Sequence, residues 1–287
     1  MELTNPDVIK YLLVSHGFSF SKSLGQNFLT ADWVPERIVS EGGITKADGV
    51  LEIGPGIGCL TQRLSDHAGR VVAVELDRRL PPLLSESLAD CPNVEIVSGD
   101  ILKLNIPQLI GDRLAGLTPK VCANLPYNIT TPVLTALIDT GLFDTITVMV
   151  QKEVAQRMCA AAGTADYGAF TVYVNYHTQP RILFDVPPSC FMPKPKVTSS
   201  VITLKRRDEK PWDIRDEKLF FRTVRSSFAQ RRKTLANGLT SGFGELSKEQ
   251  VREIIADCGF EPNVRGETLD IGGFAKLAEE IAVWSEK

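Results

Sequence analysis

The sequence has little that would tie it to a membrane, a metal or an oxidising compartment. No uninterrupted apolar run approaches the ~18 residues of a membrane span. The first residues, Met1 to Phe18, offer no basic start, no long apolar stretch and no small-residue cleavage site, so no secretory signal is expected and the cytoplasm is the expected location. Six cysteines, at 59, 91, 122, 159, 190 and 258, form no Cys-x-x-Cys pair and read as reduced thiols. Three scattered histidines, His16, His67 and His177, do not suggest the three or so convergent ligands of a catalytic zinc, so no metal is expected. No internal repeat stands out. No symmetric apolar patch or heptad run points to self-association, so a monomer is expected.

What is present describes a globular protein. The 287 residues allow two domains at roughly 150 residues each. Hydrophobic residues at 43% and charged residues at 23% argue against disorder and low-complexity scaffolds. The net charge is −3, but its distribution is uneven. Lys205 to Lys233 holds eleven Lys or Arg against five Asp or Glu, a net +6, which leaves −9 on the remainder. A solvated helix face would give such a run. The end of the run mixes Arg222, Arg225, Arg231, Arg232 and Lys233 with Phe220, Phe221 and Phe228, a combination suited to phosphate contact and base stacking. Phenylalanines buried in an amphipathic helix would produce the same spacing.

Apolar strand-like runs alternate with amphipathic helical segments from Val50 onward. The strands are Val50–Ile53, Arg70–Glu75, Val94–Val97, Lys120–Ala123 and Thr145–Val150. This alternation specifies a βαβ architecture: an α/β, Rossmann-like, mainly parallel sheet. Arg181–Val186 and Ser199–Leu204 are expected to close it. Residues 152–161 and 167–177 read as helical. The polar run Arg206–Asp213, with Pro211, reads as a linker, and four helical segments follow it. The expected division is a catalytic domain over 1–207, with an N-terminal helical extension, and a helical RNA-binding domain over 208–287.

Glu52-Ile53-Gly54-Pro55-Gly56-Ile57-Gly58 follows a strand and opens a helix. Glycines there let the backbone turn sharply and approach a ligand. Glu75 ends the next strand, where a carboxylate can bind a ribose diol, and Asp100 ends the third. The dinucleotide fingerprint requires G-x-G-x-x-G, whereas Gly54, Gly56 and Gly58 give G-x-G-x-G. The acidic-x-G-x-G-x-G form looks like the pocket of S-adenosylmethionine methyltransferases, which favours that cofactor over NAD.

Asn124-Leu125-Pro126-Tyr127 ends the fourth strand. An exocyclic adenine amine is a poor nucleophile because its lone pair is delocalised into the ring. A site that methylates it should hold both N–H groups with acceptors and clamp the base in line with the methyl group. The Asn124 side-chain carbonyl and the Leu125 backbone carbonyl are the candidate acceptors. Pro126 stiffens the turn, and Tyr127 offers a ring face for the base. A duplex base would have to be flipped out or already unpaired.

These residues carry a family resemblance. Asn124-Leu-Pro-Tyr-Asn-Ile-Thr-Thr-Pro132 resembles the catalytic motif of the small-subunit (16S) rRNA adenine N6,N6-dimethyltransferases. So do Ser23–Leu29, Glu52–Gly58, Val74–Asp77, Pro187–Val197 and Phe228–Leu235 in their own motifs. The resemblance implies two successive methyl transfers to each of two adjacent adenosines, in a hairpin near the 3′ end of small-subunit rRNA, linked to maturation of the pre-30S particle. It implies that Asn27 and Leu29 close over S-adenosylmethionine, that Gly54 approaches it with Gly56 in the same turn, and that Glu75 and Asp100 bind its ribose and adenine. It implies that Asn124 contacts both cofactor and target amine, and that Tyr127 and Phe191 stack on the flipped adenine. Prolines on both sides of Phe191 suggest a rigid, presented loop. Cys190 and Lys194 depart from the smaller or apolar residues common in the family, and Lys194 adds charge near the presumed RNA path.

Two other readings compete with this one. One is the related large-subunit (23S) rRNA dimethyltransferase of macrolide resistance, against which Leu125 and Gln230–Lys233 weigh. The other is an assembly factor acting mainly by binding. A DNA adenine methyltransferase usually has two prolines after the Asp or Asn, and here position 125 is Leu.

Overall fold

The computed structural model describes residues 1–18, 26–230 and 233–285. The β-branched runs form its centre: Val50–Ile53, Val71–Val74, Val121–Ala123 and Ile146–Val150 are all buried, as strands sandwiched between helices must be. In chain order the elements are α1 (Pro6–Ser15), β1 (Phe28–Leu29), α2 (Trp33–Glu41), β2 (Asp48–Ile53), α3 (Cys59–His67), β3 (Arg70–Glu75) and α4 (Leu80–Ser87). Next come β4 (Val94–Ser98), α5 (Ile106–Arg113), β5 (Thr118–Asn124), α6 (Thr130–Asp139), β6 (Thr145–Gln151), α7 (Lys152–Met158) and α8 (Ala169–His177). The last are β7 (Thr178–Val186), β8 (Phe191–Met192), β9 (Ser199–Arg206), α9 (Glu217–Phe228), α10 (Leu235–Gly242), α11 (Lys248–Asp257) and α12 (Ile271–Ser285).

Seven strands form one sheet in the order β4-β3-β2-β5-β6-β9-β7, and β1 pairs with β8 in a separate two-stranded ribbon. Strands β2 to β6 run parallel, and β9 lies antiparallel to β6. The chain moves outward from β2 through β3 to β4, then returns to place β5 on the other side of β2. Ligands of such sheets bind at this switch point, beyond the carboxyl ends of the two central strands. The glycine turn leaves β2 and the Asn-Leu-Pro-Tyr turn leaves β5, so the topology sets the two motifs side by side. Asn5 caps α1 through the Asp7 amide, with Pro6 in its first turn, as the sequence suggests. Helix α5 is absent from the sequence reading, although Asn105 caps it and Pro107 stands in its first turn.

The chain divides into two compact units: Met1–Ala155 with Gln179–Arg206, and Gln156–Thr178 with Arg207–Lys287. The first holds the sheet. The second differs from the expected 208–287 by taking in residues 156–178. Its apolar core explains this, because Tyr167, Val172 and Tyr176 pack with Phe220, Val224 and Phe274. Tyr176 also donates to Glu217 Oε1 at 2.6 Å, and Asn175 to the Met158 carbonyl at 2.8 Å.

The second unit depends on close approach of α10 to α9. A Cβ at Gly238 would lie 2.6 Å from the Ser226 carbonyl oxygen, too close to fit without backbone movement. At exposed Gly111 in α5 a Cβ would meet nothing within 4 Å. Gly238→Ala should therefore destabilise the protein by about 1–3 kcal/mol through overpacking. Gly111→Ala should stabilise it by up to about 1 kcal/mol through helix propensity. Urea unfolding of the two variants checks the opposite signs.

Candidate active site

The cavity at the switch point is lined by the glycine turn, by Glu75 and Asp100, by the catalytic turn Asn124–Ile129, and by Gln26–Leu29. Gly54, Gly56 and Gly58 adopt φ of 68°, 62° and 97°, the left-handed region that a side chain resists. The Gly54 amide bonds the Val74 carbonyl at 2.9 Å, which holds the turn against the end of β3. A Cβ at Gly54 would meet no protein atom within 4 Å, so this cavity-lining residue opens onto ligand space. A Cβ at Gly56 would lie 3.1 Å from the Phe28 ring, so the absent side chain lets β1 cover the turn.

Glu75 is buried and accepts a hydrogen bond from the Asp77 amide at 2.7 Å. Burial pushes its carboxyl pKa up, opposed by bonds from the Asp77 and Gly56 amides. Asp77 is paired to Arg79 at 2.6 Å and accepts from Gln26 Nε2 at 3.0 Å. Those bonds, led by Arg79, hold its carboxyl down at about 2. Gln26, which precedes the covering strand, is thus tied to the turn after β3. Asp100 caps its own turn through the Leu102 amide at 3.1 Å and lies 3.6 Å from Lys103 Nζ. Carboxylates at the ends of adjacent strands, facing a glycine turn open to the cavity, suit a nucleoside with hydroxyl and amine donors. The residues present therefore fit S-adenosylmethionine.

Asn124 Nδ2 donates to the Asn27 carbonyl at 3.5 Å. With the amino group turned to Asn27, Oδ1 is the atom left to accept from a ligand. The Leu125 amide bonds the Met149 carbonyl at 3.1 Å, fixing the turn to β6. The Pro126 carbonyl accepts from the Ile129 amide and the Thr130 hydroxyl, both at 3.2 Å, whereas the Leu125 carbonyl takes no donor among the described residues. Tyr127 is half-buried, and its hydroxyl meets Ser199 Oγ at 2.7 Å, which fixes the ring. Nothing in the sequence signalled Ser199.

Phe191 differs from expectation. Its side chain is 2% exposed and packs in the apolar core, so the prolines around it do not present the ring. It stands opposite Leu29, with Phe28 opposite Met192, in the β1–β8 ribbon. Asn27 and Leu29 do line the cavity. The basic–aromatic mixture of α9 also resolves differently from the base-stacking reading. Phe220 is fully buried, Phe228 packs on Tyr167 and Phe274, and Phe221 stacks on His177. Arg222 is engaged within its own unit: it donates to the Gly242 carbonyl at 2.9 Å and pairs with Glu245 at 2.9 Å. Arg225 and Lys233 are exposed, and Arg231 and Arg232 lie outside the described residues.

Residues 17–282 match the family described as ribosomal RNA adenine dimethylase. The chain belongs to that family. It is similar to the ribosomal RNA small subunit methyltransferase A of Alkaliphilus metalliredigens, 46% identical over 282 residues and 98% of each chain. It is also similar to the protein of the same name from Clostridioides difficile, 45% identical over 280 residues, 97% of this chain and 96% of that one. Among solved structures, a dimethyladenosine transferase from Plasmodium falciparum shares the fold, with TM-score 0.74, 24% identity, and 90% and 98% of the two chains covered. The 23S rRNA methyltransferase ErmE superposes with TM-score 0.68 at 25% identity, over 89% and 99%.

One feature of this dimethylase's pocket is a buried acid in the glycine motif. Glu52 is 1% exposed, and its Oε2 has no hydrogen-bond partner among the described residues. Desolvation, with a smaller contribution from Glu75, pushes its pKa up to about 8. An unfolded chain ionises this carboxyl near 4.5, so between about 4.5 and 8 the folded state binds the extra proton and stability falls as pH rises. Glu52→Gln should therefore gain stability relative to the natural protein across that window, by several kcal/mol at its upper end. Urea titrations at pH 5 and pH 8 read the difference.

Proposed function

We infer that this chain transfers methyl groups from S-adenosylmethionine to the N6 amines of two adjacent adenosines in a hairpin near the 3′ end of small-subunit (16S) rRNA. The observation that carries this reading is the adjacency of two turns at the switch point, one built for a nucleoside and one presenting two oxygen acceptors beside a tyrosine. When bound, S-adenosylmethionine supplies an electrophilic methyl group on a positively charged sulfur. The chain's own residues do the rest. Gly54 and Gly56 admit the ligand to the backbone, Glu75 accepts from the ribose diol, and Asp100 accepts from the adenine amine. Asn27 and Leu29 cover it.

Asn124 Oδ1 and the Leu125 carbonyl each accept one N–H of the target amine, drawing its lone pair out of conjugation and toward the methyl group. Pro126 holds the two acceptors in register. Tyr127, anchored by Ser199, stacks on the unpaired base, and Phe191, buried opposite Leu29, steadies the strand that covers the glycine turn rather than presenting its ring. Once methylated, the amine is acidic enough for water to take its proton, so no strong general base is required. The chain works as a monomer on an immature small subunit in the cytoplasm. RNA contacts fall to Arg225, Arg231, Arg232 and Lys233, with Arg222 shaping the end of α10. The curated relatives at 43–46% identity carry a small-subunit name, which favours this substrate over large-subunit rRNA.

Incubating the protein with labelled S-adenosylmethionine and unmethylated small or large subunits tests the reading. N6,N6-dimethyladenosine should appear in small-subunit rRNA alone. Label in large-subunit rRNA would overturn the substrate assignment. Tyr127→Ala should lower turnover by about 1–3 kcal/mol of lost stacking, roughly 5- to 150-fold. Glu75→Ala should abolish cofactor binding and methylation while leaving RNA affinity intact.

A further inference from the structure

The six residues from Pro193 to Thr198 join β8 to β9 in the sheet-bearing unit, and both ends of the segment are fixed to the catalytic frame. At one end, Phe191 and Met192 pair with Leu29 and Phe28 of the strand that covers the glycine turn. At the other, Ser199 holds the Tyr127 hydroxyl at 2.7 Å, and the Thr198 carbonyl accepts from the Lys152 amide at 3.0 Å. Pro193 and Pro195 restrict the backbone between these anchors. Lys194 and Lys196 alternate with the prolines. Both are exposed, and neither has an ion-pair partner among the described residues. Nearby Lys152 differs, since Asp185 neutralises it at 2.6 Å.

Charge around the site is arranged on two sides. Glu75 and Asp100 stand at the ends of β3 and β4, on the side that suits a cationic cofactor, with Asp77 beside them paired to Arg79 and Asp100 3.6 Å from Lys103. The two unpaired ammonium groups stand on the segment that runs directly into Ser199, the partner of the Tyr127 hydroxyl. We propose that Lys194 and Lys196 form a phosphate clamp that grips the RNA backbone flanking the target adenosine. This rests on the RNA-methylating reading above. A nucleotide swung out of its stack carries its own phosphates to the rim of the pocket, and two cations on a loop anchored at both ends meet them at little cost in ordering. The clamp reads no sequence. Phosphate contacts set position, and Asn124 and Tyr127 then select the base.

Fluorescence anisotropy with a hairpin RNA carrying two adjacent unpaired adenosines, across a salt series, tests the clamp in the full chain. For Lys194→Gln/Lys196→Gln, the slope of log K against log salt should shrink by about 1.4, two phosphates at roughly 0.7 each. KM for unmethylated small subunits should rise, while kcat and S-adenosylmethionine affinity stay unchanged. Lys194→Arg/Lys196→Arg should restore the slope. A purely structural loop would lower kcat or stability and leave the slope alone, and an unchanged slope overturns the proposal. The slope is read without turnover. A protein that methylated no rRNA, yet lost slope in the double variant, would sink the proposed reaction and keep the clamp.

Discussion

The parallel pairing of β2 with β5, from Asp48 opposite Thr118 to Leu51 opposite Val121, sets where two chemically different turns leave the sheet. Both strands are buried among β-branched and aliphatic side chains, so their register is fixed: a one-residue slip would turn the apolar set toward the wrong layer. The glycine turn after β2 and the Asn-Leu-Pro-Tyr turn after β5 inherit that register. Bonds from Gly54 to Val74 and from Leu125 to Met149 extend it to the neighbouring strands. The positions of the two turns are thus decided by sheet packing before any ligand arrives, which is how a catalyst avoids reorganising its dipoles during reaction.

Electrostatics divides the same region. The carboxylates at the ends of β3 and β4 are held in place by backbone amides or by cations, whereas Glu52 keeps a buried oxygen with no hydrogen-bond partner among the described residues. A buried acid of this kind costs stability, so its position in the wall of a cavity suited to a cationic ligand is paid for by the rest of the core. The helical unit follows the opposite rule. Its aromatic residues fill an interior, and Arg222, exposed on α9, closes the end of α10 and pairs with Glu245.

Much of the sheet and most of the cavity were legible in the sequence, because the signals were local. Alternation of apolar strands and amphipathic helices gave the architecture, and the order of the glycine motif, Glu75, Asp100 and Asn124 on successive strands located the site. What was not legible depended on pairings far apart in the chain. Phe191 read as a presented ring because prolines flank it, yet its burial is decided by β1, more than 160 residues earlier. Ser199 has no signature, since its role exists only once β9 lies beside the catalytic turn. Phe220 and Phe228 could have faced bases or a core, and the packing of 156–178 onto α9 decided it. Helix α5 was missed despite its cap, because eight residues give little periodicity to read.

The β1–β8 ribbon joins the segment that covers the cofactor turn to the segment that leads toward Tyr127. Its four residues share one set of backbone bonds, so ordering either edge lowers the entropy still to be lost by the other. In thermodynamic terms any coupling that the ribbon carries is reciprocal. Whatever factor the bound cofactor adds to the affinity for RNA, bound RNA must add to the affinity for the cofactor. Each target amine is methylated twice, so a ribbon that strengthened both affinities would also hold the spent cofactor longer while RNA is seated, and exchange between the two transfers sets a ceiling on how strong that coupling can be.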